Sequence, residues 1–114
     1  MSTDIDPEER FAAVVEALRD EPGVTPPNAP GGRRFGSSAL QVNGSIFAMV
    51  VRCHLVVKLP AGRVAVLIAE GTGGPFDAGK GTPMKEWLTV LRDDDDTWLA
   101  LAREALDFVS ARRR

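Results

Sequence analysis

The chain reads as an α+β domain: a two-layer α-β-β-β-α-β-β-α order with an antiparallel sheet packed against helices. Three observations predict this. Residues 38–59 hold three short β-type runs with almost nothing between them. Asn43-Gly44 separates the first two, and both residues tolerate the positive φ that a two-residue hairpin turn requires. Amphipathic segments stand at both ends of the chain with helix-type apolar spacing.

The first helix begins at Asp6, a side chain suited to the N-cap, with Pro7 at the first helical position and Glu9 at capping-box spacing. Phe11, Val14, Val15 and Leu18 recur at i, i+3, i+4 and i+7, one apolar stripe, and Pro22-Gly23 ends it. Residues 22–34 contain four prolines and three glycines and read as a long irregular connection. The meander then runs as Ser38–Val42, Ser45–Arg52 and Leu55–Leu59. In its second strand Ile46, Ala48 and Val50 share one parity and Phe47, Met49 and Val51 the other, so both faces are expected to be covered. In its third, Leu55, Val57 and Leu59 face one way, Val56 and Lys58 the other.

Pro60 opens a second helix carrying Val64, Leu67 and Ile68, closed by Gly71, although Val64–Ile68 also fits a strand. Residues 71–83 form a glycine-rich loop. Trp87–Leu91 reads as the last strand, paired with a short one near Phe76. Asp93–Asp96 start a C-terminal helix whose buried side carries Trp98, Leu101, Ala102, Ala105 and Val109. The acids at its start and Arg112–Arg114 at its end complement the helix dipole.

With 114 residues the chain has room for one domain, 1–114, with one core and a basic tail at 111–114. No apolar run approaches the ~20 residues that span a bilayer. The acidic N-terminus is unlike a signal peptide, so a cytoplasmic location is expected. The single cysteine, Cys53, excludes an intramolecular disulfide and any multi-cysteine metal site. Charge is uneven. Residues 1–30 carry 2 basic and 7 acidic groups, 31–92 carry 8 and 3, and 93–114 carry 4 and 6. The basic middle is read as balancing acidic flanks, sheet against helices. Because the whole chain is acidic, any DNA contact is expected to be weak, through Arg33, Arg34, Lys58, Arg112, Arg113 and Arg114.

Three motifs invite chemistry. Gly74–Thr82 has P-loop spacing with Lys80 in the lysine position, which makes a nucleotide- or phosphate-binding protein the alternative reading. A P-loop runs directly into a helix, whereas Met84–Leu91 after Pro83 reads as a strand. The expectation is therefore a connection between edge strands and no cofactor. Cys53 and His54 are adjacent, but neighbours on a strand point apart, and the pair reads as a hairpin turn. Asp93–Asp96 lacks the alternating ligands, central glycine and final glutamate of a calcium loop and reads as a cap. No catalytic, metal or cofactor residue is assigned.

Arg33, Arg34, Phe35 and Gly36, then Gly44, Phe47, Ala48, Leu55 and Lys58, and after the loop Phe76, Gly81, Met84 and Trp87, carry a resemblance over residues 8–110. The chain resembles the N-terminal domain of the TfoX/Sxy competence regulators and, equally, the MmcQ/YjbR-like proteins. That resemblance implies an antiparallel sheet backed by helices and a role that is usually regulatory, sometimes DNA-binding and often unknown; a non-enzymatic role is expected because no nucleophile–base pair is readable in the sequence. Here the domain would stand without the second domain of full-length TfoX proteins, and Cys53 occupies a turn where relatives often carry glycine. Partners implied are an unknown protein or weakly held DNA, with no membrane. A sheet face made of Phe47, Met49, Val51 and Val56 is expected to be covered, either by the 22–34 connection folding over it or by a second copy in a twofold homodimer.

Overall fold

The computed structural model describes residues 7–25, 39–76 and 84–112. Nine elements follow in order: α1 (Pro7–Leu18), β1 (Val24–Thr25), β2 (Ala39–Val42), β3 (Ser45–Val51), β4 (His54–Lys58), α2 (Ala61–Glu70), β5 (Gly73–Pro75), β6 (Trp87–Val90) and α3 (Asp95–Arg112). The six strands form one sheet, β1-β2-β3-β4-β6-β5, with every neighbouring pair antiparallel. The expected α+β order holds, with one addition. The irregular connection after α1 begins with β1, whose Val24 and Thr25 pair with Val42 and Gln41.

Asn43 and Gly44 both take positive φ, 53° and 86°, and Val42 pairs with Ser45 across the turn. The second hairpin turns one residue earlier than expected. Val51 pairs with His54, and Arg52 and Cys53 are the central residues, at φ 52° and 71°. His54 is therefore the first residue of β4.

The helices bury one apolar side each. Phe11, Val14 and Leu18 of α1, Val64 and Leu67 of α2, and Trp98, Leu101, Ala102, Ala105, Leu106 and Val109 of α3 form one core cluster with the strands. The strand residues in it are Leu40, Val42, Phe47, Ala48, Leu55, Val57, Leu88 and Val90, with Leu59 just beyond β4. All three helices thus lie on one face of the sheet. Trp98 is fully buried, and its indole N–H donates to the Arg92 carbonyl at 2.8 Å, which satisfies the ring's one polar atom. Gly71 closes α2 in the left-handed conformation, φ 86°, with its N–H on the Ile68 carbonyl. At the start of α3, Asp94 Oδ2 accepts from the Thr97 N–H at 2.8 Å.

One irregularity decides which strand residues face the helices. Gln41 pairs with Ile46, and Leu40 pairs with Ala48, so Phe47 has no partner on β2. This β-bulge breaks strict alternation and lets two successive side chains turn to the same side. Phe47 and Ala48 both enter the helix-facing core. Ile46, expected to share a face with Ala48 and Val50, is 37% exposed.

Candidate functional surface

The sheet face away from the helices carries a row in register across five strands: Ala39, Met49, Val56, Thr89 and Gly74. None of these belongs to the helix-facing core. The expected dimer face needs correction here. Met49 and Val56 are direct partners, and Val51 lies on the same side two residues along β3. Phe47 does not join them, because the bulge turns it into the core, where it is fully buried. Val56 is also only 1% exposed within the single chain. Of the four residues, only Met49 and Val51 keep partial access to solvent.

Lys58 lies at the end of this face, paired in register with Trp87. Its ammonium is 5.4 Å from the centre of the Trp87 ring and 4.0 Å from the Glu86 carboxylate. Phe76 packs tilted against the same indole, with centroids 6.3 Å apart. Lys58 is thus engaged by a ring and an acid rather than held free for a phosphate. Arg33, Arg34, Arg113 and Arg114 lie outside the described residues, as does the side chain of Arg112.

The other described cations are arranged mainly to hold helices. Arg10 joins α1 to α3 through Asp95 at 2.8 Å, and its guanidinium lies 5.6 Å from the centre of the Trp98 ring. Arg63 joins α2 to α3 through two parallel 3.0 Å hydrogen bonds to Glu104. That partner holds the Arg63 guanidinium above its ordinary range. Arg103 reaches Glu21 at 3.4 Å. Among the described residues, the Arg63–Glu104 and Arg92–Asp94 pairs link the basic middle of the chain to an acidic flank. The layers stay segregated: residues 7–21, 61–70 and 93–112 carry 5 basic and 12 acidic groups, while 39–58 and 84–92 carry 4 and 1. Arg52, at the second hairpin, and Lys85, before β6, are exposed without an ion-pair partner.

The glycine-rich segment joins two antiparallel strands. Residues 77–83 lie outside the described residues. On either side of them, β5 pairs with β6, and the Met84 N–H donates to the Phe76 carbonyl at 2.8 Å. Where the description resumes, residues 84–86 lead through a turn into β6, and no helix begins among them to supply the aligned N–H groups of a P-loop. The Cys53–His54 pair is split between a turn and a strand: Cys53 is exposed, and His54 Nδ1 is buried without a hydrogen-bond partner. In the acidic run, Asp94 is the cap and Asp95 holds Arg10. The Thr97 N–H, and secondarily Arg92, keep the Asp94 carboxyl below the usual range. Among the described residues, no group of three or more His, Cys, Asp or Glu side chains is placed to hold a metal ion. No helix among them is long and apolar enough to cross a membrane.

Sequence reasoning displaced one surface feature and missed another. The second hairpin turn, expected at Cys53-His54, lies at Arg52-Cys53, where no turn-forming residue fixes the register. In α2, Ile68, which the sequence groups with Val64 and Leu67, is 37% exposed, and Val66 is 47% exposed. The signal for the second was available, since Ala61–Glu70 contains only two charged residues. Compared with known proteins, the chain matches no family model, no curated protein and no solved structure.

Proposed function

We propose that this chain is a small, non-enzymatic regulatory or binding domain of the TfoX N-terminal type, working through protein contact, with any DNA contact weak and salt-sensitive. The observation that carries this reading is the deployment of its cations. Six of the described basic side chains are held by acidic partners, and the helical layer is strongly acidic. Among the described residues a polyanion therefore meets few free charges and a repulsive helical face. Phosphate contacts release counterions, so the affinity they provide falls steeply with salt.

Fluorescence anisotropy with a labelled duplex, repeated across a salt series, tests the reading. Measurable binding only at low salt, reduced by Arg33→Ala with Arg34→Ala, is the expected result. Tight, sequence-selective binding at physiological salt would sink it. Calorimetry with ATP and Mg²⁺ tests the alternative directly. Micromolar binding abolished by Lys80→Ala would make the glycine-rich segment a phosphate site instead.

A further inference from the structure

We propose that α2 is the contact helix of a twofold homodimer, packed antiparallel against α2 of a second copy. The starting observation is a contrast among the helices. The exposed residues of α1 include Glu8, Glu9 and Glu16, and those of α3 include Asp95, Asp96 and Asp107. The exposed side of α2 consists of Ala61, Gly62, Ala65, Val66, Ile68 and Ala69, with Glu70 its only charged member. Val66 and Ile68 are two of the four large apolar side chains that the described molecule leaves exposed. A helix apolar on its outer side as well as its inner side is built to be covered on both.

The charges of α2 identify what covers it. A helix is stabilised by anions at its N-terminus and cations at its C-terminus. Both other helices place acids in the first turn. α2 has no acid in its first turn and no base in its last. It carries the reverse: Arg63 near its start and Glu70 at its end. This arrangement is unfavourable for one helix and favourable for an antiparallel pair, in which each Glu70 lies beside the partner copy's N-terminus.

The spacing fits that pairing. At about 100° per residue, Gly62, Ala65, Val66 and Ala69 form the outward seam, and Arg63 and Glu70 fall on one flank of it. An antiparallel twofold keeps each flank against the same flank of the second copy. Arg63 then meets the other copy's Glu70 twice, on either side of a centre at Val66. Arg63 already uses Nε and Nη2 on Glu104, which leaves its Nη1 donors to take the second carboxylate. The small residues of the seam let the two backbones approach closely. The contact is isologous, as a twofold requires. It is independent of the sheet face and does not rest on the proposed regulatory role.

The seam is one short helix long, so association belongs to the weak class. Sedimentation of the full chain from about 10 µM to about 1 mM covers that range. The expected result is a monomer–dimer equilibrium whose dissociation constant rises at least about tenfold in Val66→Glu and in Glu70→Lys, with circular dichroism and melting temperature unchanged. A monomer of 12.3 kDa at every concentration, or a dimer indifferent to Val66→Glu, overturns the proposal. Crosslinking reads the geometry. In a Cys53→Ser background, Val66→Cys should form a disulfide dimer readily. Gly62→Cys should not, because antiparallel pairing separates the two positions by about 13 Å along the axis. Gly62 has open space for a side chain, so that variant folds. Equal crosslinking at both positions overturns the antiparallel arrangement.

Discussion

The two hairpins of the meander share a backbone path and differ in how they come by it. The first turns through Asn43 and Gly44, at φ 53° and 86°, residues for which the left-handed region costs little. It is also braced from outside: the Asn43 N–H donates to the Gly23 carbonyl at 2.9 Å. The second turns through Arg52 and Cys53 at nearly the same angles, where an ordinary side chain costs roughly 1–2 kcal/mol per residue. What holds that turn is the pairing beyond it. Val50 faces Leu55, and Ala48 faces Val57. Leu55 and Val57 are fully buried, each contributing about 1.5–3 kcal/mol. One turn is favoured by its own residues; the other is imposed by its strands.

This difference is open to direct attack. The largest effect is expected where β3 departs from alternation. Phe47→Ala empties a fully buried site and should cost about 3–5 kcal/mol in urea unfolding. Met49→Ala, two residues away on the opposite face, should cost distinctly less. Equal losses would show that the bulge does not direct Phe47 inward. The turns themselves come next, with opposite signs. Gly44→Ala has open space for its Cβ and should lose about 1 kcal/mol through backbone strain alone. Cys53→Gly should gain about 0.5–1 kcal/mol by relieving the same strain. If Cys53→Gly destabilises the chain, the second turn is not strained as described.

The smallest effect concerns the entry to α3, far from either hairpin. The Asp94 carboxyl titrates below its unfolded value because it accepts the Thr97 N–H. Its contribution is therefore present above the unfolded value of about 3.9 and is lost as pH falls through the folded one. Asp94→Asn keeps an acceptor at the cap. The stability gap between parent and variant at pH 7 should stay under about 1 kcal/mol, because the group is solvent-exposed. It should shrink as pH falls through the lowered titration of the Asp94 carboxyl. A gap that widens on acidification reverses the assigned sign.

Legibility follows the same division. Asn43-Gly44, the Phe11–Leu18 stripe and the buried side of α3 were readable because each is written in local residue choice. β1 was not, since two residues carry no periodicity and Val24-Thr25 becomes a strand only by lying beside Val42 and Gln41. The bulge escaped for a related reason: an unbroken apolar run from Ile46 to Val51 gives alternation nothing to mark, so its register emerges only from pairing. The surfaces were harder still. Lys58 reads as a free cation until Trp87 and Glu86 are brought to it. The expected sheet-face contact loses Phe47 to the bulge and Val56 to burial.

The two ends of the sheet carry a consequence for the behaviour of the chain at high concentration. An open sheet offers two margins on which another chain could add a strand, and a long regular margin is a template for aggregation. Here one margin is the two-residue β1 and the other is Gly73-Gly74-Pro75. Pro75 has no N–H to offer a newcomer. Gly73 is fixed as glycine because a side chain there would run into Leu88 at 2.5 Å. Among the described residues both margins are short or poor in donors, which disfavours growth of the sheet from copy to copy and leaves self-recognition to side-chain surfaces.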